Sequence, residues 1–264
     1  MKVKLESESR ITKIIHDINQ PLELCEPHFG DRTFVNGVYH SMADIQKRLN
    51  AAVIPSGDLI NASDLMARGL LSKENVLYQM DDFEKYFLPF PIPGIMQNNH
   101  GTRIYGKSLP RQFGESLVSR WEKILGRFKE KNPRIKILGP DEVCFELHLY
   151  DNGKCSQKGI VWHPSGLSSA EAFVRRVAQN VQDFDFSIVF HFHRNMQVEI
   201  TKMCPDGYFD VSKVKFVPPM IENPRYGIGR YAPINAGFLL IRKVKDDITG
   251  KTGIIFKEYT KADL

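Results

Sequence analysis

The sequence lacks an apolar run that could cross a membrane. No segment approaches the ~20 consecutive apolar residues that a membrane helix needs. The opening residues, MKVKLESESR, also lack the apolar core of a secretory signal. We therefore expect no membrane partner.

Cysteine is scarce and scattered along the chain. Cys25, Cys144, Cys155 and Cys204 form no CxxC pair, which argues against a structural zinc site and against a disulfide framework. With 42% hydrophobic residues over 264 positions, the chain buries enough core to fold without either. A cytoplasmic or other reducing intracellular compartment is the simplest expectation.

The charge is only mildly unbalanced, with 36 lysines and arginines against 31 acidic residues. Such a small excess of positive charge permits an anionic partner without requiring one. We find no internal repeat and no low-complexity tract.

The hydrophobic pattern changes near residue 140. Before it helical signals dominate, and the clearest helix is predicted from Phe113 to about Lys131, where one apolar stripe recurs with the helical period. After it the pattern alternates with period two, as in Val143–Tyr150. We predict an α+β fold, with a mainly helical region over residues 1–139 and a mainly antiparallel β-rich region over residues 140–264, for which a ferredoxin-like arrangement is one candidate.

The segment 184–193 predicts a strand that ends in two histidines. On a strand, His191 and His193 share the face opposite the phenylalanines. A three-residue loop into the next strand would set Glu199 opposite His191, because this register keeps Val198 on the apolar face. We predict a cluster of two imidazoles and a carboxylate that can hold zinc, iron, copper or manganese. The alternative is that this face is only the solvent side of the sheet.

Two carboxylates, Asp183 and Asp185, open the same strand after a serine-glycine turn and a helix. In nucleotidyltransferases, two acids with this spacing hold magnesium ions against a triphosphate. The predicted catalytic set is therefore Asp183, Asp185, His191 and Glu199, with a divalent metal as cofactor. The alternative is that the acidic pair only solvates the end of the sheet.

A glycine-rich loop contains Gly227 and Gly229, and a predicted strand begins at Gly237 after seven further residues. This pattern resembles the glycine-rich loop of RAMP-type CRISPR RNA-binding proteins, which include crRNA-processing endonucleases. The resemblance implies a ferredoxin-like domain whose loop lies against RNA, with glycines that let the backbone approach phosphates and with charge added by Arg225 and Arg230. The alternative is an ordinary turn-rich connection.

The segment 103–136 carries ten basic and three acidic residues. Arg120, Lys123 and Arg127 lie on the predicted helix within it, and we predict that they bind nucleic acid. The alternative is a solvated helix face.

Three functions stay open. The first is a nucleic-acid-binding protein, for RNA rather than DNA, in a ribonucleoprotein complex. The second is a metal-dependent enzyme acting on phosphodiesters or nucleotides, and the third is a structural or assembly subunit. Two other histidines carry no site prediction, because His28 lies in turn-rich surroundings typical of a structural or exposed residue and His163 has no evident partner in the sequence.

Overall fold

The computed structural model describes residues 11–31, 33–61, 73–97, 105, 111–139, 142–164, 169–180, 184–203, 209–222, 235–247 and 249–263. Within these residues the chain forms two six-stranded sheets and four α-helices. None of the helices described is long and apolar enough to cross a bilayer.

The first sheet combines an early strand with five later ones. Its strands are β1 (Lys13–Asp17), β6 (Cys144–Asp151), β7 (Lys154–Trp162), β8 (Phe186–Val189), β9 (Met196–Met203) and β10 (Phe209–Phe216). Their order across the sheet is β1-β6-β7-β8-β10-β9. The pairs β1–β6, β7–β8 and β8–β10 are parallel, whereas β6–β7 and β9–β10 are antiparallel.

The second sheet also mixes the two directions. Its strands are β2 (Leu22–Cys25), β3 (Ala52–Gly57), β4 (Gly94–Gln97), β5 (Lys136–Leu138), β11 (Gly237–Lys245) and β12 (Thr252–Thr260). Their order is β12-β11-β2-β3-β4-β5. The strands from β2 to β5 run parallel to one another, and β11 joins them antiparallel to β2.

The two sheets pack face to face, with helices on both outer sides. One hydrophobic cluster lies between the sheets and takes side chains from both. A second lies between the second sheet and the helices α1 (Asn36–Leu49), α2 (Lys73–Phe87) and α3 (Arg111–Lys131). A third lies between the first sheet and α4 (Ala170–Asn180). The architecture is therefore a four-layer α/β/β/α arrangement.

The predicted fold class is wrong. Each sheet takes strands from both sides of residue 140, so the chain is not a helical region followed by an antiparallel, ferredoxin-like one. The physical reason lies in the short strands β2, β3 and β4. Every residue in them is buried, so burial does not alternate along them as it does along a half-exposed strand.

The helix predicted from Phe113 to about Lys131 is confirmed as α3. Leu117, Trp121, Ile124, Leu125 and Phe128 form its buried stripe. Its basic face lies partly against α2, because Arg120 donates to Asp81 (Nε to Oδ1, 2.9 Å).

One carboxyl group is buried in the layer between the second sheet and the helices. Glu23 on β2 is fully buried, and it pairs in register with Val53 and Leu240. Neither of its carboxyl oxygens has a hydrogen-bond partner in the part of the chain that the structure describes. Burial raises the pKa of Glu23 from its ordinary value of 4.5 to about 9, so the folded chain keeps this group protonated at neutral pH.

We expect Glu23→Gln to remove a pH dependence of stability. The folded chain holds the proton up to the raised pKa, whereas the unfolded chain releases it near the ordinary value, so wild-type stability falls as pH rises between the two. The unfolding free energy of Glu23→Gln minus that of wild type should therefore increase by about 1.4 kcal/mol for each pH unit over this window. Urea denaturation at several pH values measures this, with exposed Glu122→Gln as control. A difference that stays constant with pH would contradict the prediction.

Candidate metal centre

The candidate metal centre lies where loops leave the carboxyl ends of strands in both sheets. Six side chains converge there: Glu26 and His28 after β2, Asp58 after β3, His163 after β7, and His191 and His193 after β8. Because β2 and β3 are parallel, and β7 and β8 are parallel, the loops of each pair leave the same edge of their sheet.

Backbone hydrogen bonds hold these loops together. The His28 N–H donates to the carbonyl of Asp58 at 2.7 Å, and the carbonyl of Glu26 accepts from the Met220 N–H at 2.9 Å. The loop after β2 is thereby fixed to the loop after β3 on one side and to the segment after β10 on the other.

Left-handed backbone conformations are concentrated in the centre. Among the described residues, five other than glycine have positive φ, and three of these are His28 (52°), His191 (80°) and His193 (51°). The remaining two, Asn50 and Asn152, are asparagines, the residue type that tolerates this conformation best. Histidine adopts it at a cost that is typical of functional sites, where the backbone is bent to aim a side chain.

The six side chains form two groups of the same composition. The first contains Glu26, His28 and His193, and the second contains Asp58, His163 and His191. In each group the ligand atoms lie within 4.8 Å of one another. Each group therefore offers two imidazole nitrogens and one carboxylate oxygen. We call them the first triad and the second triad.

Ring contacts follow the same division. His28 and His193 of the first triad meet edge to face with ring centroids 5.1 Å apart, and His163 and His191 of the second triad do so at 5.0 Å.

The carboxylates join the triads to each other. Glu26 Oε1 lies 3.3 Å from His28 Nε2 and 2.9 Å from His163 Nε2. Asp58 Oδ2 lies 3.7 Å and 3.8 Å from the same two nitrogens. Each carboxylate thus faces one imidazole of each triad, so the triads are adjacent halves of one centre.

The electrostatics keep two of the ligands in the form that binds metal. Burial alone would raise the pKa of Glu26, but hydrogen bonds and charge from His163 and His28 outweigh it and hold the pKa well below its usual range. Burial lowers the pKa of His193 to about 4. Glu26 is therefore ionised and His193 neutral near pH 7, and these are the protonation states that coordinate cations.

Burial alone would lower the pKa values of His28 and His163. The nearby carboxylates favour the protonated imidazoles more strongly, so both pKa values are raised above the ordinary value. A cation between these imidazoles and the carboxylates would take the place of the protons. The donor set of neutral imidazole and carboxylate fits divalent zinc, iron, cobalt or manganese. Four of the six ligands are nitrogens, whereas magnesium prefers oxygen.

The structure places the predicted metal and catalytic residues in different regions. His191 and His193 belong to the centre, as ligands of separate triads. Asp185 precedes β8 at the end away from the histidines, where its Oδ2 accepts from the Lys158 N–H at 2.6 Å. Asp183 lies outside the described residues.

Glu199 does not join the two histidines, so the predicted cluster of His191, His193 and Glu199 is corrected. Glu199 is exposed on β9 and pairs in register with Lys213 of β10. The predicted hairpin does not form, because β8 ends at Val189 and β10 lies between β8 and β9.

The residues predicted to bind nucleic acid lie on α3 or outside the described part. Arg120 and Arg127 contact Glu84 of α2, and Lys123 is exposed. The loop residues Arg225, Gly227, Gly229 and Arg230 lie outside the described residues. Nucleic-acid binding stays a prediction from the sequence.

Four ligands carried no prediction from the sequence. His28 and His163 are fully buried members of the centre, so the exposed position considered for His28 is wrong. Glu26 and Asp58 also belong to it. Their position carries a signal only once the strands are known, because Glu26, Asp58 and His163 each directly follow a strand and His28 lies two residues after Glu26.

Gly57 is required by the close packing of the second triad. Its φ is +83°, and a Cβ there would lie 2.3 Å from His163 Cδ2 and 3.1 Å from Glu26 Oε1. We expect Gly57→Ala to displace His163, to lower the manganese content measured by elemental analysis, and to destabilise the fold by about 1–3 kcal/mol.

Gly37→Ala is the matched control for this substitution. A Cβ at Gly37 meets nothing within 4 Å, and alanine at this helical position should leave the stability equal or raise it by up to about 1 kcal/mol. Wild-type manganese content in Gly57→Ala would contradict the assigned role.

Comparison with known proteins gives no family. No family model and no curated protein matches the chain. Among solved structures, Vps29 of Chaetomium thermophilum is 10% identical, with a TM-score of 0.42 over 92% of this chain and 97% of that one. The sulfate thiohydrolase SoxB of Thermus thermophilus is 11% identical, with a TM-score of 0.40 over 84% of this chain and 42% of that one. Both TM-scores lie below 0.5, so what the protein does is argued from the ligands themselves.

Proposed function

We propose that this protein is a metal-dependent hydrolase of phosphate esters that uses two divalent cations. The observation that carries the proposal is the pair of adjacent triads with carboxylates between them. Sites of this kind, with two cations close together, are typical of phosphatases and nucleases. When bound, two cations polarise a phosphate ester and activate water for attack on phosphorus.

The chain's own residues would prepare this chemistry. Glu26 and Asp58 supply two negative charges that offset the repulsion between neighbouring cations. The four imidazoles add ligands without adding charge, so the centre keeps a net positive charge that attracts a phosphate group. The bent backbone of the three histidines with positive φ fixes the direction of each ring before substrate arrives.

Burial limits the direction of approach. Glu26, His28 and His163 are fully buried, and Asp58 and His193 nearly so. His191 is only partly buried, which makes it the most accessible of the six ligands. Substrate would therefore reach the centre from the side of His191, and the remaining ligands would stay shielded from bulk water.

Nucleotidyl transfer is the less favoured form of metal-dependent chemistry. The magnesium ions that hold a triphosphate prefer carboxylate, carbonyl and water oxygens. Here nitrogens outnumber carboxylates two to one in each triad. That ratio favours a transition metal and hydrolysis.

The test is hydrolysis of p-nitrophenyl phosphate and bis-p-nitrophenyl phosphate by the full chain loaded with manganese. We expect turnover that is lost when a chelator removes the metal. Asp58→Asn and His193→Ala should each lower kcat by about 100-fold or more, as expected when preorganised charge stabilisation is removed.

His40→Ala is the matched control, because His40 is an exposed histidine on α1. It should retain wild-type kcat. A manganese-loaded protein that hydrolyses neither ester would contradict the proposed function.

A further inference from the structure

Glu26 is grouped with the first triad, because its carboxylate lies within 4.8 Å of the ligand atoms of His28 and His193. Both oxygens of this carboxylate nevertheless contact residues of the second triad. Oε1 accepts a hydrogen bond from the His163 imidazole at 2.9 Å, and Oε2 accepts from the backbone N–H of His191 at 3.3 Å. Both of these partners belong to the second triad. Its own triad is reached by Oε1, which lies 3.3 Å from His28 Nε2.

Asp58 shows the same behaviour from the opposite side. Its Oδ2 is almost equidistant from His28 and His163, at 3.7 Å and 3.8 Å. The two carboxylates therefore lie on the boundary between the triads.

We propose that Glu26 bridges both cations, so that the centre has two carboxylate bridges, Glu26 and Asp58. This inference rests on the metal centre of the proposed function and deepens it. A cation in either triad would lie against the Glu26 carboxylate, because that carboxylate already contacts imidazoles of both.

The length of the glutamate side chain is the feature that makes the bridge. Glu26 is anchored by its backbone carbonyl, which accepts from Met220, so its reach is set by its side chain. An aspartate at this position is shorter by one methylene and would withdraw the carboxylate from one of the triads. Two carboxylates between the cations also reduce the repulsion between two double charges at short range.

The test measures manganese bound per chain, and the affinity of each cation, by equilibrium dialysis and elemental analysis. Wild type should bind two cations. The reference variants His28→Ala and His191→Ala each remove a ligand of one triad, and each should bind one cation at the wild-type affinity. Glu26→Ala should instead lower the affinity for both cations by at least about 10-fold, a change typical of the removal of groups that support a metal site.

Glu26→Asp is the conservative variant and keeps the charge. It should bind one cation with nearly wild-type affinity and the other about 10- to 100-fold more weakly. It also keeps the proposal testable if Glu26→Ala does not fold, which circular dichroism will show.

The inference is overturned if Glu26→Ala binds one cation at wild-type affinity, the result expected of His28→Ala, or if Glu26→Asp binds both cations like wild type. Such a result together with ester hydrolysis by wild type would leave the proposed function standing. The converse outcome is that Glu26→Ala lowers the affinity for both cations while wild type hydrolyses neither ester. That result would support the bridge and contradict the proposed function. A wild-type chain that binds no manganese would overturn both.

Discussion

The structure depends on two buried carboxylates held among four imidazoles at the junction of the two sheets. An isolated buried charge is very costly, so Glu26 and Asp58 can be buried only where partners of opposite or neutralisable charge surround them. The histidines meet this need from three separate loops, and Gly57 leaves the space that His163 occupies. Loss of His28 or His163, which both carboxylates face, leaves charge uncompensated, which makes the centre a constraint on the fold as well as a site.

The sheet topology explains how residues so distant in sequence meet. Glu26 and His163 are hydrogen-bonded although 137 positions separate them. Their strands belong to different sheets, and face-to-face packing of those sheets brings the carboxyl ends together. The inter-sheet cluster that includes Leu24 and Ile54 holds this arrangement. Packing of the core and geometry of the centre are thus two consequences of the same contact between sheets.

The sequence predicts the parts of this structure whose signal is local. The stripe of α3 and the alternation of β6 are both visible in a short window. The pair His191 and His193 is visible for the same reason. The strands β2, β3 and β4 are not, because residues buried on both faces show no period. The error at Glu199 came from pairing consecutive strands, whereas β10 lies between β8 and β9. The remaining ligands come together only through pairing across the whole chain, which no local pattern contains.

The most direct test of a two-cation centre is anomalous X-ray diffraction from crystals of the full wild-type chain grown with manganese. The account predicts two anomalous peaks about 3.5–4 Å apart, one against each triad, with the carboxylates of Glu26 and Asp58 between them. A single peak, or peaks remote from these side chains, would contradict it.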